Sequence, residues 1–184
     1  MANIVEFVST KFIKEHTNIE NNVDDSKIKP LIVKVQDTHL QQIIGSSFYQ
    51  HLMDAVYNDT LTANELILLR NYIQRFVSEY VFFEVFPFLN YKSTNKGVSK
   101  ESSEYSVPAE LSEIKFMRSA IRDIAEFYGA RLDKYLTDNS SLFPEYTNPT
   151  QPENLPKTGN IYQSGIYLKS SRNCDITDQY KNNN

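Results

Sequence analysis

The chain has 184 residues, 40% of them hydrophobic and 12% aromatic, with a single cysteine and a formal net charge of −4. That is enough for one domain with a real core. The acidic balance argues against a surface that grips nucleic acid or anionic membrane through clustered Lys and Arg. Cys174, being alone, excludes a disulfide framework, as fits a reducing cytosol or a particle assembled there.

The opening stretch, MANIVEFVSTKFIKEHT, carries acids early and lacks a continuous apolar core, so it does not read as a signal peptide. No uncharged apolar run approaches the roughly 20 residues of a membrane span. STKFIKEH reads as a short helix capped by Ser9 or Thr10. Next, Asp24 or Asp25 offers an N-cap and Pro30 falls near the first turn. Ile28, Leu31, Ile32, Val35, Leu40, Ile43 and Ile44 follow at mostly helical spacing. Gly45 then interrupts, and Ser46 or Ser47 can cap a second piece carrying Phe48, Leu52, Val56 and Tyr57. Two helices are therefore expected to meet at Gly45.

TANE at positions 62–65 is a capping box, in which the Thr62 hydroxyl takes a free N–H while Glu65 reaches back. Leu66, Leu69, Ile73, Phe76 and Tyr80 then step by three and four into YVFFEVFPFL, which is apolar nearly all round. The unbroken pattern predicts helix, ended or kinked at Pro87. A helix apolar on every side must be covered on every side, so Phe82, Phe83 and Phe86 are candidates for a subunit interface as well as for a central core.

Residues 90–110, NYKSTNKGVSKESSEYSVPAE, form a polar connection much longer than the usual 2–8 residues between bundle helices. Such loops are either functional or disordered. Tyr91, Lys92, Lys96, Gly97 and Tyr105 are its candidate contact residues, the tyrosines as anchors and Gly97 as a turn. Lys92, Lys96 and Lys100 offer phosphate contacts, but Glu101 and Glu104 follow at once, as in a solvated loop. Pro108 suits the first turn of a fourth helix. There Ile114, Met117, Ile121, Ile124, Tyr128, Leu132 and Tyr135 predict one apolar stripe, with Lys115, Arg118, Arg122, Asp123, Glu126 and Arg131 mostly opposite.

After Asn139 the composition changes, with four of the seven prolines and two of the five glycines in what remains. The expected organisation is a helical bundle over 1–139, containing the 90–110 loop, and an extended Pro/Asn-rich arm over 140–184. Phe143, Tyr146, Tyr162, Ile166, Tyr167 and Leu168 are the arm's candidate contacts, to a partner or to the chain's own bundle. NIYQSGIYL has enough apolar residues for a short β segment or an anchor, and the closing Asn run reads as disordered.

The residues do not ask for catalysis, a metal or a cofactor. His16, His39 and His51 show no metal-ligand spacing, and there is no HExxH or helical Glu-x-x-His pair. Asp123 and Glu126 share a helical face without a histidine, a weak metal signal, and Asp37 and His39 do not face each other on a helix. GVSKES lacks the phosphate-cradling pattern, and Cys174 has no arranged base.

VQDTHLQQIIGSSFYQHL, TNKGVSKESSEYSVPAELSEI, IAEFYGARLDKYL, LFPEY and GNIYQSGIYL, in that order and spacing, resemble the head–tail connector (adaptor, ring) proteins of tailed double-stranded-DNA phages, the crAss-like type above all. The likeness covers roughly residues 9–168. It implies an all-α small helical bundle with a long inter-helix loop and an extended C-terminal arm. It also implies a structural virion protein whose copies close into a ring, typically dodecameric, below the portal. Loop and arm would reach neighbouring subunits, the portal protein or other neck and tail rings. Double-stranded DNA would pass without sequence-specific contact, with no membrane involved. The location would be the virion neck, after assembly in the host cytoplasm. A wall along which DNA slides should not grip phosphate, which agrees with the acidic charge. Two other classes are consistent with the residues: a monomeric helical adaptor or regulator that binds through 82–89, and a bundle enzyme or metal protein using Asp123, Glu126 and His39.

Overall fold

A computed structural model describes residues 5–94, 97–100, 111–150 and 154–156; side-chain positions at 90–100 and 111 are outside that description. Eight α-helices make up the described fold: α1 (Thr10–His16), α2 (Asp25–Val35), α3 (Gln41–Ile44), α4 (Ser46–Tyr57), α5 (Ala63–Leu68), α6 (Gln74–Asn90), α7 (Leu111–Asp138) and α8 (Pro144–Thr147). The protein is all-α in class. One short antiparallel ribbon, β1 (Tyr91–Thr94) with β2 (Gly97–Lys100), pairs Tyr91 with Lys100 and Thr94 with Gly97.

Local chemistry sets the starts. Ser9 caps α1 by accepting from the Phe12 N–H at 3.2 Å, and Asp24 caps α2 by accepting from Ser26 at 2.9 Å. Pro30 sits in the second turn of α2 rather than the first, and the helix runs through it. At 62–65 both halves of the capping box form: Thr62 Oγ1 accepts from the Glu65 N–H (3.3 Å), and Glu65 Oε2 accepts from the Thr62 N–H (2.8 Å). α6 continues three residues beyond Pro87, so proline interrupts its bonding without ending it.

α6 is the central element. It packs against α7, α2 and α1, and its Val77, Val81 and Val85 are fully buried. Lys34 bonds Glu84 at 2.6 Å across the α2–α6 contact. Two π-turns, at Gln36–Leu40 and Leu69–Ile73, each squeeze an extra residue into a helical path. Glutamines at their edges hold the N-terminal segment: Phe7 N–H donates to Gln36 Oε1 (2.8 Å), Gln36 Nε2 to the Val5 carbonyl (2.9 Å), and Gln74 Nε2 to the Phe7 carbonyl (2.9 Å). Gln36 is fully buried, and these bonds offset the cost of its burial.

Several expectations are corrected. The 90–110 connection begins as the β1–β2 ribbon; its polar side chains gave no alternation to read as strand. On α7, Ile114, Ile121, Ala125, Leu132 and Leu136 are buried, whereas Met117 and Ile124 are about half exposed. The expected stripe holds at Ile114, Ile121 and Leu132, with Tyr128 and Tyr135 partly buried against the core, and fails at Met117 and Ile124; Ala125, a small residue, lies on the buried line instead. A Cβ on Gly129 would lie 3.1 Å from the Phe76 ring, so α7 packs tightly on α6 where its side chain is smallest. Neither Ser46 nor Ser47 caps α4; Gly45 occupies that position, and both serines are buried in the first turn.

The boundary expected at 139 does not separate the packing. α8 lies on α4, with Phe143 (1% exposed) and Tyr146 (3%) against the Phe48 ring at centroid distances of 5.5 and 6.2 Å. These two residues, candidates for a neighbour's pocket, belong to the chain's own core because Pro144 opens one more helical turn that folds them back. Farther on, the Ser46 N–H, unpaired within its helix, donates to the Asn154 carbonyl at 2.9 Å. Pro156 is buried at the same corner.

A candidate interaction groove between α6 and α7

Helix α7 carries apolar side chains on two sides. One side is the buried line already described. Between about a quarter and a half of a turn round the helix, Phe116 (78% exposed), Met117 (50%), Ile124 (48%) and Phe127 (64%) form a second, broader stripe in contact with solvent. Fully covering such a side chain is worth about 1.5–3 kcal/mol, so leaving four of them uncovered on one face is an uncommon arrangement for a finished surface.

The stripe borders a groove. Phe82 and Phe86 form its floor, with rings 5.9 Å apart and edge-to-face, and both are nearly buried. α7 gives one wall through Phe116, Met117 and Ile124, and the end of α1 with the following Thr17 and Asn18 gives the other. This section encloses about 390 Å³. Past Leu89 and Met117 it opens into a second hollow of about 570 Å³ reaching Val23, Asp24 and Lys27 at the start of α2. The opposite wall is held rigidly: Lys14 Nζ bonds Asp25 (2.6 Å) and the Val23 carbonyl (2.5 Å), and His16 stacks on Phe12 at 3.9 Å.

One carboxylate stands on this apolar wall. Burial pushes the pKa of Glu79 up, with Arg75 pulling it partly back, and no described residue gives it a hydrogen bond or a salt bridge. Phe83, beside the floor, is covered from the α7 side by the Arg118 guanidinium, 4.2 Å from the ring centroid.

Apart from Phe143 and Tyr146, which are in the core, the candidate contact residues singled out in the sequence fall into three groups. Phe82 and Phe86 are brought together as the groove floor, and Phe83 is half-buried next to them. Tyr91, Lys92 and Gly97 are in the ribbon that leaves the end of α6. Lys96, Tyr105, Tyr162, Ile166, Tyr167 and Leu168 lie outside the described residues. Phe116 and Phe127 escaped the sequence reading because they stand off the strongest helical stripe; their signal was a large apolar residue at each position expected to be polar.

The alternative chemistry is placed as follows. Asp37 accepts the Tyr49 hydroxyl at 2.7 Å, while His39 stacks on Tyr80 at 4.4 Å with its pKa lowered by burial. Arg122 lies 3.6 Å from Asp123 and 3.5 Å from Glu126. Among the described residues no three His, Cys, Asp or Glu side chains gather as a metal site, and no helix is long and apolar enough to cross a membrane.

The model of a family of unknown function (DUF6712) matches residues 40–154, more than half of the chain. The chain belongs to this family. Its matched region runs from the end of the first π-turn through α3–α8 to Asn154, and so takes in both helices that form the groove floor and its apolar wall. No curated protein and no solved structure matches the chain.

Proposed function

We propose that this DUF6712 protein is a structural ring subunit at the head–tail junction of a tailed double-stranded-DNA phage, one of a set of copies that close below the portal round the path of the DNA. The observation that carries the reading is the uncovered apolar stripe on α7 beside a preformed groove. Among the described residues nothing covers this face, and a helix that already buries one face in its own bundle leaves a second apolar face for a further segment or a second body to cover. A ring meets that need, because each copy presents one face and covers a different face of the next. The setting comes from the sequence resemblance, and the net charge of −4 suits a wall that lets DNA slide past.

The test is electron microscopy and light scattering of the purified full chain, alone and mixed with portal protein. Closed rings, or a ring added to the portal, are the expected result. A monomer at all concentrations that leaves the portal bare overturns the reading and favours a monomeric helical adaptor that uses the same groove.

A further inference from the structure

The groove has a definite chemical demand: an apolar segment on Phe86, Met117 and Ile124, and a cation or strong donor near Glu79. The residues lining it include Glu20, Asp24, Glu79 and Glu113 against Lys27, with Arg75 acting on Glu79 and Lys14 on Asp24 from beside the groove. Two long segments of the chain lie outside the described residues and are available to meet that demand. Residues 101–110 carry Glu101, Glu104 and Glu110 and no Lys or Arg, so the rim repels them. Residues 157–184 carry Lys157, Lys169, Arg172 and Lys181 against Asp175 and Asp178, the opposite sign from the chain as a whole. Within them, Ile161, Tyr162, Ile166, Tyr167 and Leu168 stand directly before Lys169 and Arg172, the order of apolar and cationic groups that the groove asks for.

We propose that the α6–α7 groove is the docking site for residues 161–172 of a neighbouring copy. The apolar and aromatic side chains cover Met117 and Ile124, and Lys169 or Arg172 meets the Glu79 carboxylate. Supply by a neighbour rather than by the same copy rests on the ring reading above. The complementary charge fixes the direction of the docked segment as well as its place, because only one orientation brings the cations to Glu79.

Charge exchange in the full chain tests this. Glu79→Lys is expected to raise the concentration needed for half-assembly about tenfold, the loss of one charge-assisted contact. Lys169→Glu with Arg172→Glu in the same chain is expected to restore it to within about twofold. A Cys174→Ser chain carrying Met117→Cys, mixed under oxidising conditions with a Cys174→Ser chain carrying Tyr167→Cys, should give a disulfide-linked pair on a denaturing gel. If rings form but neither the rescue nor the inter-chain link appears, the docking proposal fails and the ring reading stands. If the link appears only within a single chain carrying both cysteines, the groove is filled by the chain's own segment and the neighbour proposal is overturned. If no variant or parent assembles at all, the ring reading falls and takes the proposal with it.

Discussion

Two apolar surfaces of this molecule meet different fates. On α4 the chain returns to cover what it exposes: α8 lays Phe143 and Tyr146 on Phe48, and Asn154 supplies the carbonyl that the start of α4 lacks. On the outer side of α7 no described segment returns, and Phe116, Met117, Ile124 and Phe127 stay in contact with solvent. The side chains are of the same kind, so hydrophobicity alone does not decide whether a residue is core or interface. The path of the chain decides it. A mutation at the first surface should be felt in folding, and a mutation at the second in association.

The largest expected effect is at the covered surface. Phe143→Ala removes a ring wedged between Phe48 and Tyr135, and should cost about 3–5 kcal/mol in chemical denaturation. A loss below about 1 kcal/mol would mean that α8 is not part of the core. Next is the corner that α4 shares with the returning segment. Gly45 has φ +79° and ψ 157°, a backbone region almost confined to glycine, and a Cβ there would lie 2.8 Å from Pro156 Cδ. Gly45→Ala should cost about 1–3 kcal/mol and increase protease cutting after residue 150, since the segment must move to make room.

A smaller effect tests the capping box under changing pH. Burial pushes Glu65 up, but bonds from the Thr62 N–H and hydroxyl and from His51 outweigh it, so the carboxyl is held below its ordinary value of 4.5. A depressed acid contributes stability that is complete above the ordinary value and is lost as pH falls through the folded one. Glu65→Gln should therefore be less stable than the parent at neutral pH by about 0.5–2 kcal/mol, with the gap closing below pH 4.5 in thermal melts. A gap independent of pH would show that the carboxylate's charge is not what the cap uses. The smallest effect on folding is at the uncovered surface. Phe116→Ser with Phe127→Ser should leave the thermal midpoint within the change expected of about ±0.5 kcal/mol, while abolishing self-association by light scattering. Loss of folding instead of association would reverse the assignment of the two surfaces.

Much of what depends on a few adjacent residues was legible in the sequence, the cap of α4 and the β1–β2 ribbon excepted. The 62–65 box, the break at Gly45 and the helical reading of YVFFEVFPFL all rest on local spacing and backbone preference. Features set by distant chain were not. The pairing of His51 with Glu65 at 2.6 Å joins two helices, and the Gln36 and Gln74 bonds to the N-terminal segment span 29 to 67 positions. The α7 stripe shows a subtler failure. Counting large apolar residues finds a face, but Ala125 and Gly129 show which face touches α6, and their signal is smallness. For the groove, Phe82 and Phe86 were legible as residues with two candidate roles, whereas its α7 wall depends on which way that helix is rotated.

The corner where Ser46 meets Asn154 divides mutational freedom unequally between its two sides. The bundle contributes a position that only glycine fills without strain, whereas the returning segment contributes a main-chain carbonyl that every amino acid possesses. Substitutions at position 45 are therefore costly, and those at 154 are nearly free as long as the backbone path is kept. Residues leading away from that corner can drift to suit a new partner while the point from which they depart stays fixed on the bundle.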